Sequence, residues 1–560
     1  MKTAAAAVTT KVMAVAAALA LVAGTPACAA AAQNDGLVVQ TTSGPVQGFE
    51  AASGNFSAFL GIPYASAGRW ETPEDPDDWT EPFQATEYGP ICAQAAQLPG
   101  PALPGYAMQE LLYADQPWNI VEPPTWNQSE ECLSVNVYAP ANATDTPVMV
   151  WIYGGSLTNG DGNGQAYPPD TMVGKDVVLV TFNYRLGPFG YFAHPDLNAT
   201  NFGLHDQIKA LEWVQANIEE FGGDPDNVTI FGESAGGSSV ASLLVSPLTE
   251  DLFDRAIIES MCLGLSSSQN VTMEEAAPTG AAFGVAMGFS EDDPDQLKKM
   301  KKVSFQEVLI TPGSNQFSTI LIDGDSMETD AITGFVEGEN HKVPVIVGSN
   351  ANEGGLQYNT GAPYPVFIAG ISPAFSQYLP VNTSENYEGF VRQLFGSDAD
   401  KVLSFYPADT PIESGQSMLT DSMFTVTAQI IAEAMANRGE HVLMYHFTQK
   451  PSGPIGELMG AFHSSELPYV GITSDHYSVP VVNPLLADQM SSYWTNFAKT
   501  GDPNAEGLPQ WESMPAGASE WFVLGPEVGP AAIPKEKLNL FKPTIVADYL
   551  NGPDKFNAAH

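Results

Sequence analysis

The chain has 560 residues, with 65 Asp and Glu against 21 Lys and Arg and a formal net charge of −44. That excess of acid excludes nucleic acid and anionic membrane surfaces as partners, and it names no substrate. Four cysteines, none with metal-ligand spacing, predict no metal site.

The first segment belongs to export rather than to the fold. Lys2 and Lys11 precede or border the apolar run Val12–Gly24, and small residues follow through Ala32. This reads as a secretory signal peptide over residues 1–30, with cleavage expected between Ala27 and Ala32. The run is too short to cross a bilayer and no later stretch is long and apolar enough, so no stable membrane insertion is expected. Sequons at Asn55, Asn127, Asn142, Asn198, Asn270 and Asn382 suit a glycosylated secreted protein. A seventh, Asn227, leads into a buried strand and is expected to stay unmodified. Residues 33–560 contain no linker, repeat or low-complexity tract and read as one large domain with long insertions.

Cleavage removes Cys28 or leaves it terminal, and Cys92, Cys132 and Cys262 remain. Cys92 and Cys132 are close in sequence and bracket a loop, which makes them the expected disulfide, with Cys262 a buried free thiol. Inside that loop, "PGYAMQELLYADQPW" (Pro104–Trp118) predicts a short helix. Ala107, Met108, Leu111 and Leu112 share one face, and Gln109, Glu110 and Asp115 lie largely on the other.

Further along, Leu204, Ile208, Leu211 and Ile218 recur at helical spacing and predict a helix over 203–221. "GGDPDN" (Gly222–Asn227) then breaks the chain, and Val228–Phe231 reads as a short buried strand. "FGESAGGSSV" (Phe231–Val240) follows, with Ser234 between Gly232 and Gly236 and an apolar helix beyond. An ordinary Gly/Ser turn would give the same letters. A strand, a sharp turn and a helix in succession favour the other reading, a serine nucleophile on a turn with no room for Cβ atoms two positions away. The helix N-terminus would also offer free N–H groups where an oxyanion forms.

A serine nucleophile needs a base, and the base an orienting acid. Of eight histidines, His463 lies in a loop well after Ser234, whereas His441 and His446 sit in the strand-like "HVLMYHF". For the acid, "VPVIVGSNANEGG" runs a buried strand (Val343–Val347) into a Gly-rich loop carrying Glu353. A strand's C-terminal edge is where α/β sheets place catalytic groups. Taken singly, Glu353 reads better as a solvated loop residue.

Several motifs occur together and in order: "FLGIPYA" (Phe59–Ala65), "SEECLSVNVYAP" (Ser129–Pro140), "WIYGGS" (Trp151–Ser156), "FNYRLGPFG" (Phe182–Gly190), the stretch Gly203–Gly237, "GSNANEGG", "GAFHSSELPYV" (Gly460–Val470) and "YWTNFAKTGDPN" (Tyr493–Asn504). On these the chain resembles the type-B carboxylesterases, the α/β-hydrolase branch that includes cholinesterases and large fungal lipases. The resemblance runs from near Gly44 to about Trp511. It implies a large, mostly parallel central sheet with helices on both faces and an active site at its C-terminal edge.

By the same resemblance Ser234 is the nucleophile, Glu353 the acid and His463 the base, in the chain order of α/β-hydrolases. Backbone amides of Gly155, Ser156 and Ala235 would form the oxyanion hole. Position 156 is serine where three successive glycines are commonest, which leaves the amide in place and adds bulk and a hydroxyl near the acyl group. Arg69 with Glu130 and Arg185 with Asp206 resemble internal ion pairs of the family. Ser260 resembles a supporting serine near the acid and base, and reads equally as a strand-end hydroxyl.

The implied activity is hydrolysis of small-molecule or lipid esters without metal or organic cofactor. Two alternatives remain: a lipase or sterol-ester hydrolase whose 92–132 loop is a lid, and a non-catalytic cholinesterase-like adhesion protein. The intact Ser, Glu and His disfavour the last.

Overall fold

The computed structural model describes residues 37–95, 127–163, 169–262, 271–355, 383–472 and 481–546 apart from 544. The signal segment, the predicted helix Pro104–Trp118, Asn270 and Asn382 lie outside the described residues.

Apolar runs such as "VMVWI", "VLVTF" and "RAIIE" are long enough for strands buried on both faces, and they assemble into one eleven-stranded sheet. We number its strands β1 (Phe49–Glu50), β2 (Phe56–Pro63), β3 (Ser134–Pro140), β4 (Thr146–Ile152), β5 (Val178–Phe182), β6 (Gly223–Glu233), β7 (Arg255–Glu259), β8 (Val345–Asn350), β9 (Val442–Phe447), β10 (Glu520–Leu524) and β11 (Gly529–Ala532). Their spatial order is β11-β10-β9-β8-β7-β6-β4-β5-β3-β2-β1. From β10 across to β5 neighbouring strands are parallel, and antiparallel pairings close both edges. This is the large, mostly parallel sheet that the resemblance implies.

The helix predicted over 203–221 is α1 (Phe202–Asn217), continued by a 3-10 turn, Ile218–Phe221. After β6 comes α2 (Ala235–Val245), every residue of which is buried. Later helices are α3 (Pro411–Leu419), α4 (Val426–Asn437) and α5 (Pro484–Thr500). Alternation along β6 decides which face each meets. Gly232 looks onto α2, where a Cβ would lie 2.7 Å from the Gly236 backbone. Glu233 and its register partner Glu259 on β7 therefore face the other way, and Glu259 there accepts a hydrogen bond from Trp494 of α5. Helices thus cover both faces.

Two strand limits differ from the sequence reading. β6 begins at Gly223, five residues before Val228, because Gly223 pairs with Thr146 and the register then shifts before pairing resumes at Val228. Pro225 and its acidic neighbours occupy that irregularity, where no ladder hydrogen bond is required of them. The strand predicted over Val343–Val347 runs instead from Val345 to Asn350, so it delivers Asn350 almost to Glu353.

The glycines around Ser234 answer to sterics. A Cβ on Gly236 would lie 2.0 Å from the Ile152 carbonyl oxygen, and one on Gly232 2.6 Å from the same atom. Both collisions are with backbone, which cannot rotate away. We expect Gly236→Ala to cost about 3 kcal/mol, the upper end of overpacking, and to impair activity because the α2 N-terminus must shift. Urea unfolding followed by tryptophan fluorescence measures this, and a midpoint equal to that of the parent would remove the steric account.

Candidate active site

Ser234 stands between β6 and α2 with φ 60° and ψ −123°, a conformation unfavourable for any side chain with a Cβ. Its amide donates to the Glu259 carbonyl (2.9 Å), and its own carbonyl accepts from Ser238 (2.9 Å). The backbone is therefore held from both sides of the turn. Such holding is what keeps a strained residue in place.

Ser234 Oγ lies 2.8 Å from His463 Nε2, and His463 Nδ1 lies 2.7 Å from Glu353 Oε2. The other Glu353 oxygen accepts the Asn350 amide at 2.7 Å. An ionised carboxylate can only accept, so Nδ1 carries the imidazole proton and Nε2 is left to accept from the serine hydroxyl. Three residues separated by 229 and 110 positions meet because β6, β8 and β9 end on the same edge of the sheet.

A π-helical turn, Thr420–Thr425, between α3 and α4 supports the arrangement. Thr420 Oγ1 accepts the Gly354 amide (3.1 Å), and the Phe424 ring lies 5.0 Å from the imidazole. This contact was missed in the sequence, where nothing separates a π turn from ordinary helix. The insertion of one extra residue per turn at a functional edge is a recurrent use of π geometry.

Charge around the imidazole is unusually one-sided. Glu233, Glu259, Glu353 and Glu466 are all buried. Glu233 Oε1 lies 3.3 Å from His463 Nε2 and accepts the Ser464 hydroxyl at 2.8 Å. It is buried against the imidazole. Asn350 Nδ2 bonds Glu466, and Ser260 Oγ lies 3.4 Å from the same carboxyl rather than against Glu353 or His463. Burial lowers the affinity of His463 for its proton, but the Glu233 charge and the Glu353 hydrogen bond and charge outweigh it and raise its pKa. Burial raises Glu233 despite the opposing imidazolium. It also lifts Glu259 to about 8, and among the described residues only the neutral Trp494 N–H reaches that carboxyl to oppose the shift.

The 154–156 turn lies against Ser234: a Cβ on Gly154 would sit 3.0 Å from Ser234 Cβ and 3.5 Å from the Ala235 amide nitrogen. Gly155 has φ 106°, and a Cβ there would meet the Asn159 carbonyl oxygen at 2.1 Å, so only glycine fits. Among the described residues the Gly155 and Ser156 amides donate to no backbone carbonyl. Ala235, as the first residue of α2, has no carbonyl four residues back to bond. Three N–H groups are thus available beside the serine.

A sequence model of the carboxylesterase family matches residues 35–539. The chain belongs to the carboxylesterase family. It is similar to the para-nitrobenzyl esterase of Bacillus subtilis (strain 168), 34% identical over 517 residues covering 88% of this chain and 95% of that one. Fumonisin B1 esterase of Sphingopyxis macrogoltabida is 31% identical, with 90% of each chain covered. Liver carboxylesterase 1 of Oryctolagus cuniculus is 31% identical, covering 85% of this chain and 87% of its own. Among solved structures, a PNB esterase superposes with a TM-score of 0.71 at 31% identity, covering 90% of this chain and 99% of that one. This carboxylesterase has the α/β-hydrolase fold and is a carboxylic ester hydrolase.

Other expected pairs take their places around the site. Cys92 and Cys132 are disulfide-bonded, and Cys262 is unpaired and partly rather than fully buried. Burial pushes its thiol up to about 12. Arg69 pairs with Glu130 and also donates to the Met300 and Val303 carbonyls. Arg185 binds Asp206 through Nε and Nη2, at 2.8 and 2.7 Å. Asn55, Asn127, Asn142 and Asn198 are exposed. Asn227 is half-buried, its side-chain oxygen held by Arg255 and its nitrogen 3.4 Å from the Lys499 carbonyl.

Proposed function

We propose that this carboxylesterase is a secreted serine esterase that cleaves carboxylic esters through an acyl-enzyme on Ser234. The observation that carries the reading is the unbroken chain Ser234–His463–Glu353, 2.8 and 2.7 Å, starting on a strained turn at a helix N-terminus. His463 Nε2 takes the hydroxyl proton as Ser234 attacks the ester carbonyl. The tetrahedral oxygen is held by the Gly155, Ser156 and Ala235 amides, each such donor lowering the barrier by about 3 kcal/mol. His463 then returns the proton to the departing alcohol, and water repeats the cycle on the acyl-enzyme. Glu353 fixes the imidazole tautomer and stabilises the imidazolium throughout. Export rests on the signal-like N-terminus, the sequons at Asn55, Asn127, Asn142 and Asn198, and the Cys92–Cys132 bridge.

An organophosphonate tests this without any choice of substrate. It should attach once per chain, on the peptide containing Ser234, with loss of esterase activity in proportion. Labelling at another residue, or inactivation without labelling, would overturn the assignment.

The carboxylate beside the base predicts a pH response. His463 accepts a proton only when neutral, and a Glu233 anion 3.3 Å away favours its charged form. Glu233→Gln removes that charge, so the acid limb of kcat/KM should move to lower pH. A shift of about one unit corresponds to ~1.4 kcal/mol, which the Coulomb attraction at this distance approaches even in a water-like dielectric. An acid limb that stays in place would mean that Glu233 is neutral across the limb.

A further inference from the structure

Ser156 is a serine in a conformation that favours glycine, and nothing among the described residues accounts for it. Its φ is +56°, in the left-handed region that crowds any Cβ. Leu157 shares the strain (φ 58°), but its side chain is buried in the core, and packing accounts for it. Ser156 is exposed, so packing offers no compensation. Among the described residues its hydroxyl has no hydrogen-bond partner either. A residue held in an unfavourable conformation with neither packing nor an internal hydrogen bond is a candidate for contact with a ligand.

Its place on the chain says which part of the ligand. Gly154, two residues before it, lies against Ser234 Cβ and the Ala235 amide, so Ser156 stands at the rim of the position where the ester carbonyl must sit. A hydroxyl on the same residue as an oxyanion donor reaches only atoms next to that carbonyl. We propose that Ser156 is a specificity-determining residue whose hydroxyl hydrogen-bonds an oxygen on the acyl α-carbon. Alkoxyacyl and hydroxyacyl esters would then be favoured over alkyl esters of equal length. The proposal rests on the reading of Ser234 as nucleophile and of the Gly155–Ser156 turn as oxyanion site.

The test uses p-nitrophenyl methoxyacetate and p-nitrophenyl butyrate, which differ by an ether oxygen in place of one methylene. The ratio of their kcat/KM values is measured for the parent, Ser156→Ala and Ser156→Gly, so that intrinsic ester reactivity cancels between proteins. Loss of one hydrogen bond should lower the ratio by about five- to tenfold in both variants. Ser156→Gly should also gain on p-nitrophenyl isobutyrate, whose branched α-carbon meets the vacated side chain. A second series compares 2-methoxyethyl acetate with butyl acetate and should show no change of ratio. Ratios within twofold of the parent in the acyl series overturn the proposal, as does equal loss on both esters or a change confined to the alcohol series. Organophosphonate labelling of Ser234 in the parent separates these outcomes from failure of the catalytic reading.

Discussion

Ser234→Ala lowers kcat for ester hydrolysis by about 10⁴- to 10⁶-fold and leaves the protein folded. Removing the nucleophile of a serine triad costs nearly as much as removing the whole triad, because the three side chains act as a unit. Residual turnover comes from the oxyanion donors and binding alone. Stability should be almost unaffected. Among the described residues the lost hydroxyl bonds only His463, and the backbone hydrogen bonds that hold the turn, Ser234 N to Glu259 O and Ser238 N to Ser234 O, do not involve the side chain. The measurement is kcat on an activated ester together with thermal unfolding of both proteins. Activity within about tenfold of the parent would take Ser234 out of the mechanism.

Glu353→Gln has the next largest expected effect, a fall in kcat of about 10⁴-fold. The substitution preserves shape, so its effect is electronic and directional. Glu353 is wholly buried, with one oxygen accepting from His463 Nδ1 and the other from the Asn350 amide. A glutamine can satisfy the Asn350 N–H only by turning its NH₂ toward His463. Nδ1 must then accept, which places the ring proton on Nε2, where the base should be empty. The imidazolium formed during attack also loses its counter-charge. Glu353→Asp keeps the charge and shortens the reach, so it should recover much of what the glutamine variant loses. A glutamine variant as active as the parent would show that Glu353 does not set the tautomer.

The nucleophile was legible because its constraint is local. Gly232, Ser234 and Gly236 encode a turn that fits only beneath the Ile152 carbonyl, and a strand and a helix flank it in the letters themselves. Glu353 and His463 were not legible in this way. Each is brought to Ser234 by the order of strands in the sheet, which no short stretch encodes, and the family resemblance supplied what local pattern could not. Glu233 next to the base was within reach of strand alternation, since Gly232 must face α2 and its neighbour must therefore face away. Glu259 follows from the same argument once β7 is placed in register. The start of β6 was misread because Gly-Asp-Pro-Asp is ordinarily a chain break, and here a register shift absorbs it.

The Cys92–Cys132 bridge has an evolutionary consequence. Its two Cα atoms are 5.0 Å apart, and beside it Ile91 and Cys92 form a short parallel ladder with Gln128 and Ser129. Both ends of the intervening span are thereby fixed to one another independently of what lies between them. Doubling the length of a flexible loop between pinned ends adds only about 0.6 kcal/mol of closure entropy. A change of length within that span, away from the Gln94 and Glu130 contacts at its ends, should therefore leave the sheet and the serine turn folding as before. The neck formed by the two cysteines makes it a module that selection can exchange.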